Sequence, residues 1–309
     1  MRIISLVPAG TEIVFALGLE RYVVAVSHEC DYPPQARDLP RLTQSAIGGA
    51  TRTSAEIDAA VSARKATGAP LYHIDAEQLT ALTPDLILTQ GLCDVCALPS
   101  RAVRVALAQM SPRPPIVSLD GRSIDGVLES IVEIGRVTGQ DTCATELVFA
   151  LRERLARVVS AVANRPPVRV VCLEWLDPPY ACGHWIPEMV HLAGGVDPLG
   201  RPGIPSVPIS WSTVRDAHTP NIIAMPCGYT LERAVREVEA IAAQPAWKEA
   251  VGDAVVYVAA GGGYFTRPGP RLVTGIELLA ASFHPDRVDW PLPTDGLCLW
   301  RESVVRQGV

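Results

Sequence analysis

Apolar positions in the first half of the chain alternate between two spacings. Short, nearly continuous apolar runs of strand length lie at residues 2–7, 23–27, 71–74, 85–89 and 116–119. Segments at residues 11–18, 76–82, 100–109 and 124–138 instead repeat their apolar residues at helical spacing. Strands alternating with helices predict a parallel sheet covered on both faces. The pattern then changes to one long helical segment, residues 142–164, which contains no glycine or proline and is stopped by Pro166 and Pro167. Alternation resumes afterwards. Strands are expected at residues 168–173, 221–225 and 254–258, and helices at residues 188–193, 231–243 and 271–283. The resulting fold class is α/β: two parallel-sheet lobes bridged by one long backbone helix, with a ligand cleft between the lobes. The expected boundaries are residues 1–140, 141–165 and 166–309, with proline-rich loops at residues 198–208 and 285–293.

Composition agrees with this organisation. Of the 309 residues, 48% are hydrophobic and 19% charged, below the usual quarter, so the chain has the material for sizeable cores. The 27 basic and 33 acidic residues form no cationic block, which argues against a nucleic-acid or anionic-membrane surface. Apolar runs fall short of the roughly 18 residues that a membrane helix requires. Pro8, Thr11 and Glu12 interrupt the first apolar stretch, so it reads as a strand and a helix rather than an export signal, and a cytoplasmic location is expected.

A reducing compartment gives the eight cysteines a particular meaning, because stable disulfides are rare there. Cys143 and Cys172 fall within a helix and a strand and read as core fillers; Cys298 carries little information. The remaining five lie near strand ends, where open α/β sheets bind ligands. His28 and Cys30 follow one strand, and Cys93 and Cys96 follow another. This His-x-Cys plus Cys-x-x-Cys set suits zinc or an iron–sulfur cluster; the same cysteines also fit a thiol-redox pair, or free thiols. In the second lobe Glu174, Trp175, Cys182, His184, Trp185, Cys227, Tyr229 and Tyr264 gather at corresponding ends. Glu29, Asp31 and Glu174 could do acid–base work, although no known catalytic motif surrounds them.

Five segments together resemble a known family: RIISLVPAGTEIVFALGL, HECDYPPQAR, LTPDLILTQGLCDVCA, GHWIPEMVHLAGG and YFTRPGPRLVTGIELLA. They are similar to the two-lobed, helical-backbone substrate-binding proteins of ABC transporters, closest to the cobalamin-binding branch. The resemblance implies a small-molecule ligand, cobalamin or a related corrinoid, held between the lobes. It further implies that Trp175, Trp185, Tyr229 and Tyr264 pack against the corrin face, with Arg267 on an amide or phosphate edge; His184 and Glu174 are placed at the pocket by the strand ends above. Such proteins dock to their transporter through an acidic residue on each lobe. Glu77 could serve on the first lobe, but residues 210–214 of the second hold no carboxylate, which counts against docking. The expectation is therefore a cytosolic corrinoid-binding protein, with a metalloprotein (zinc or iron–sulfur through Cys30, Cys93, Cys96 and His28) as the alternative.

Overall fold

The computed structural model describes residues 1–48, 51–92, 100–108 and 110–301. The first lobe runs β1 (Ile3–Ser5), α1 (Pro8–Ala16), β2 (Val23–Val26), β3 (Thr43–Ser45), α2 (Ser54–Thr67), β4 (Tyr72–Ile74), α3 (Ala76–Ala81), β5 (Leu86–Thr89), α4 (Ser100–Ala106), β6 (Ile116–Ser118) and α5 (Ile124–Thr138). Its sheet is wholly parallel in the order β2-β1-β5-β6, with β3 and β4 forming a small antiparallel pair beside it. Neighbouring residues face opposite sides of this sheet, as strand geometry requires. Thus Ile3, Leu86 and Leu88 enter one apolar core, and Ile4 and Ile87 the other.

The long helix α6 (Asp141–Val162) follows, close to its expected span. It ends just before Asn164, which takes a left-handed φ of 63°. The second lobe comprises β7 (Val168–Arg169), β8 (Val171–Leu176), β9 (Pro179–Ala181), α7 (Ile186–Leu192), β10 (Gly195–Val196), β11 (Val207–Pro208), α8 (Trp211–Asp216), β12 (Asn221–Ala224), α9 (Leu231–Ala242), α10 (Pro245–Val251), β13 (Val255–Ala259), α11 (Leu272–Phe283) and β14 (Leu297–Arg301). Its main sheet is β11-β9-β8-β12-β13-β14; β8, β12 and β13 are parallel, flanked by antiparallel edges. The two-lobed α/β fold is therefore as expected, except that the second sheet is mixed. Helix α1 starts at Pro8 rather than Thr11, because proline is preorganised for the first helical position.

One apolar core passes through both lobes. It contains Ile13 and Val14 of α1, Ile131 and Ile134 of α5, Leu151 and Val158 of α6, Met189 of α7, and Ile276, Leu279 and Phe283 of α11. Helix α6 also ties to α11 by charge. Arg154 Nη2 lies 2.6 Å and Arg157 Nη2 3.0 Å from Glu277, whose side chain is 3% exposed. No helix among the described residues is long and apolar enough to cross a membrane.

Leu151 is 3% exposed at the middle of this strut. Leu151→Ala is expected to lower stability by about 3 kcal/mol, through lost burial plus the cavity left behind, measured by urea unfolding. A change below about 1 kcal/mol would mean that α6 is not the shared support.

Candidate functional site

Strand ends from both lobes converge on a cleft of about 410 Å³. From the first lobe come Val7, Pro8 and Ala9 after β1, Glu29 after β2, Gln90 and Leu92 after β5, and one face of α2 with Ile57, Asp58, Val61 and Lys65. From the second come Glu174, Trp175 and Tyr180 of the β8–β9 hairpin, then His184, Trp185, Cys227, Tyr229, Arg233 and Arg267. The volume lies within the range usual for small-molecule sites, roughly 300–1,000 Å³.

Aromatic rings dominate the wall made by the second lobe. Trp175 meets Tyr229 edge-on with centroids 5.4 Å apart, and the Arg233 guanidinium lies 3.8 Å above the Tyr229 ring. Trp185 is 5% exposed and donates its indole N–H to Phe265 O at 2.7 Å, which fixes the ring plane. His184 packs against Trp185 at 5.5 Å between centroids.

The His184 turn is held by its backbone. His184 N donates to Ile204 O at 2.7 Å, Gly203 N to His184 O at 2.8 Å, and Arg201 N to Cys182 O at 2.9 Å. Gly183 is required there, since a Cβ would stand 2.3 Å from Ile204 O. His184 itself takes φ +50°, an uncommon conformation for a residue with a side chain. The supporting loop is organised by Asp197, which accepts from Leu199 N at 2.9 Å and Cys172 N at 3.2 Å. Burial pushes the Asp197 carboxyl up to about 6, despite those donors.

On this wall the buried His184 Nε2 has no hydrogen-bond partner among the described residues, and Tyr229 Oη has only the Arg233 guanidinium beside it, at no well-formed hydrogen-bond geometry. Burial raises the Tyr229 hydroxyl to about 12, so it stays protonated. Burial, and secondarily the positive charge of Arg122, lowers His184 and keeps its imidazole neutral near pH 7. An unsatisfied buried polar group costs about 1–3 kcal/mol, so such atoms require an explanation. A ligand in the cleft supplies one.

Glu174, Trp175, His184, Trp185, Tyr229 and Arg267 all line the cleft. Arg267 is nevertheless engaged: it pairs with Asp31 of the first lobe and donates to Glu29 O at 3.2 Å. Ser206 Oγ donates to Glu174. Tyr264 departs from expectation. Residues Gly261–Phe265 form one turn of π-helix, and the Tyr264 hydroxyl donates to Asp295 at 2.9 Å, lining a separate hollow with Thr230 and Leu231. Sequence reasoning missed the α2 face and Tyr180.

The metal set is not assembled by the residues described. Cys30 is wholly buried, with its sulfur 3.1 Å from both Thr11 Oγ1 and Ser27 Oγ, and burial raises its thiol. His28 turns instead toward Thr43, with Nδ1 2.7 Å from its hydroxyl, and toward the Tyr72 ring at 5.4 Å. The two residues thus point into different surroundings. Cys93 and Cys96 lie outside the described residues. Among the described residues no three His, Cys, Asp or Glu side chains are grouped to hold a metal ion.

Two α/β lobes on a helical strut, with an aromatic cleft between them, define a two-lobed solute-binding protein. Residues 3–257 match the periplasmic binding protein family, and the chain belongs to that family. It is similar to the vitamin B12-binding protein of Vibrio cholerae, with 26% identity over 280 residues, 89% of this chain and 86% of the relative. Among solved structures, the periplasmic vitamin B12 binding protein of Vibrio cholerae superposes with a TM-score of 0.64 at 22% identity, covering 91% of this chain and 95% of the other. A periplasmic heme-binding protein from Pseudomonas aeruginosa gives 0.69 at 19% identity, covering 99% of each chain. Membership of a family of periplasmic binding proteins, with relatives that include a substrate-binding lipoprotein of Bacillus subtilis, overturns the expectation of a cytoplasmic location and points to an extracytoplasmic one. The cysteine argument that began from a reducing compartment loses its premise with it.

Asp197 provides a pH test of the wall. Its folded value of about 6 exceeds its ordinary 3.8, so the folded state holds the proton more tightly. That stabilisation is complete below the ordinary value and is lost as pH rises through about 6. Relative to Asp197→Asn, the native chain should lose on the order of 3 kcal/mol between pH 3.5 and 7. Urea midpoints of both proteins across that range measure the difference, and parallel profiles would refute it.

Proposed function

We propose that this protein captures a planar tetrapyrrole, most simply cobalamin or a related corrinoid, in the interlobe cleft for delivery to an ABC transporter. The observation that carries this reading is the wall of Trp175, Trp185 and Tyr229 with the unsatisfied His184 Nε2 and the Tyr229 hydroxyl facing the cleft. Flat rings offer large apolar contact to a macrocycle face, at little conformational cost. Tyr229 Oη can donate to a peripheral amide carbonyl, and the neutral His184 Nε2 can meet a polar or metal-bearing centre. The named binding of the Vibrio cholerae relative supports the corrinoid as first choice. Arg267, Glu174 and Tyr180 complete the polar edge.

Heme is the second reading, and it has a specific support. A neutral imidazole nitrogen without a partner is suited to iron as well as to hydrogen bonding, and a heme-binding protein shares this fold. Transporter docking belongs to the same proposal, since the family serves such transporters; Glu77 at the start of α3 is an exposed acidic residue on the first lobe.

Titration calorimetry and absorption spectroscopy with cyanocobalamin and hemin separate the two. Cyanocobalamin is expected to bind at micromolar concentration or tighter. Trp175→Ala and Tyr229→Ala should each weaken binding about tenfold or more, the effect of losing a buried aromatic contact. Preferential hemin binding with a His184-dependent Soret shift would select heme. Binding of neither would reject a tetrapyrrole ligand.

A further inference from the structure

Helix α2 belongs to the first lobe by sequence and is fastened to the second by contact. Only Ser54 and Val61 are buried along its length, so it inserts little into its own lobe. Ile57 instead packs against the second lobe's separate core, the one containing Val171, Leu173 and Tyr229. Polar ties surround that contact. Ser54 N donates to Glu237 Oε1 at 2.9 Å, and the Ser54 hydroxyl donates to the same oxygen. Trp175 Nε1 donates to Ser54 O at 3.1 Å, Tyr180 Oη to Asp58 Oδ1 at 3.0 Å, and Arg233 Nη2 to Arg52 O at 3.2 Å.

Helical spacing explains how one element does this. Residues 54, 57, 58, 61 and 65 lie on a single face, which turns toward the cleft and the opposite lobe. The other end of α2 is held at home: Arg64 donates to Pro70 O at 2.8 Å and to Ala46 O at 3.1 Å, and Gly68 ends the helix in the left-handed conformation.

We propose that α2 is a clasp across the mouth of the cleft, anchored near Arg64 and released at Ser54 and Asp58, and that these two residues position Trp175 and Tyr180. The positioning half rests on the ligand reading above; the clasp does not. Trp175 and Tyr180 line the cleft and are hydrogen-bonded to α2, so the aromatic wall acquires its set geometry only when the clasp is shut. Both rings stand beside α2 at the cleft, and release of the helix opens a path next to them. Its contacts with the second lobe are mostly polar and only part-buried, which makes this the weaker seam between the lobes.

Hydrogen–deuterium exchange on the full chain without ligand tests the clasp. Glu237→Ala removes the acceptor of two ties and should speed exchange in α2 about tenfold, with β1 and β5 unchanged. Tyr180→Phe should act in the same direction, more weakly. Unaltered α2 exchange in both variants would overturn the proposal, because the helix would then be held by its own lobe. Stopped-flow binding of cyanocobalamin and hemin reads the positioning role. Glu237→Ala should accelerate both association and dissociation, by about tenfold for whichever probe binds, and unchanged association would count against gating. Faster exchange with no binding of either probe would reject the tetrapyrrole reading and leave the clasp supported.

Discussion

The lobes are joined by one uninterrupted apolar core around α6, and this constrains every movement the molecule can make. Ile131 and Ile134 of α5, Leu151 and Val158 of α6, and Ile276 and Leu279 of α11 pack as a single body. Interiors of this density resist continuous deformation, so the lobes cannot swing freely about the strut. Among the described residues, none of α6 lines the cleft. Across the cleft, the contacts are mainly ion pairs and hydrogen bonds: Glu12 with Arg271, Asp31 with Arg267, and the ties of α2. Polar contacts that can be replaced by water break at lower cost than an apolar core. Motion is thereby directed to the side of the molecule where the site is.

The cross-cleft ties are themselves unequal. Glu12 is 3% exposed and meets Arg271 Nη2 at 2.5 Å and Nε at 2.9 Å, while the Arg271 guanidinium also sits 3.8 Å above the Tyr32 ring. Burial raises the Glu12 carboxyl and the guanidinium opposes that rise. Separating the pair would leave a charge in a dry environment, a change costing several kcal/mol. The seam beside α1 is therefore the firmer one. Asp58 and Glu237 are only half-buried, so their separation exposes groups that water readily satisfies, although Ser54 itself is buried.

How much of this was legible in the sequence follows from what each segment buries. The long helix was plain, because residues 141–162 contain no breaker and carry apolar residues at regular spacing. The parallel strands were plain for the same reason: β1, β5, β8 and β12 are buried on both faces and read as apolar runs. Helix α2 was not read, since its face points into a cleft and at another lobe rather than into its own core. Two end signals were nevertheless present: the capping box of Thr53 and Glu56, and the closing Gly68. Trp175, His184 and Tyr229 follow apolar strand runs, which is the sequence signal that places them near the cleft. Tyr264 was misplaced because a π-helical turn follows its strand, and no spacing rule signals that. His28 and Cys30, two residues apart, were read as one ligand pair; the Thr11 and Ser27 hydroxyls instead draw the sulfur inward.

The aromatic wall carries the energetic mark of a binding surface. A neutral imidazole nitrogen without a protein partner in a buried wall costs about 1–3 kcal/mol unless something in the cleft meets it, and the Tyr229 hydroxyl beside it has only Arg233 near. Folding alone would favour apolar replacements at both positions. The backbone around His184 adds a second expense, with φ +50° enforced by the loop that Asp197 organises. Strain of this kind persists where surrounding contacts over-determine it. Here they do: Ile204, Gly203 and Arg201 each bond the turn, and Gly183 admits the close approach. The polar atoms are therefore held in place by the scaffold before any ligand arrives. The His184–Trp185 part of the wall is thus preorganised, while Trp175 and Tyr180 take their set geometry from the clasp, which also controls access.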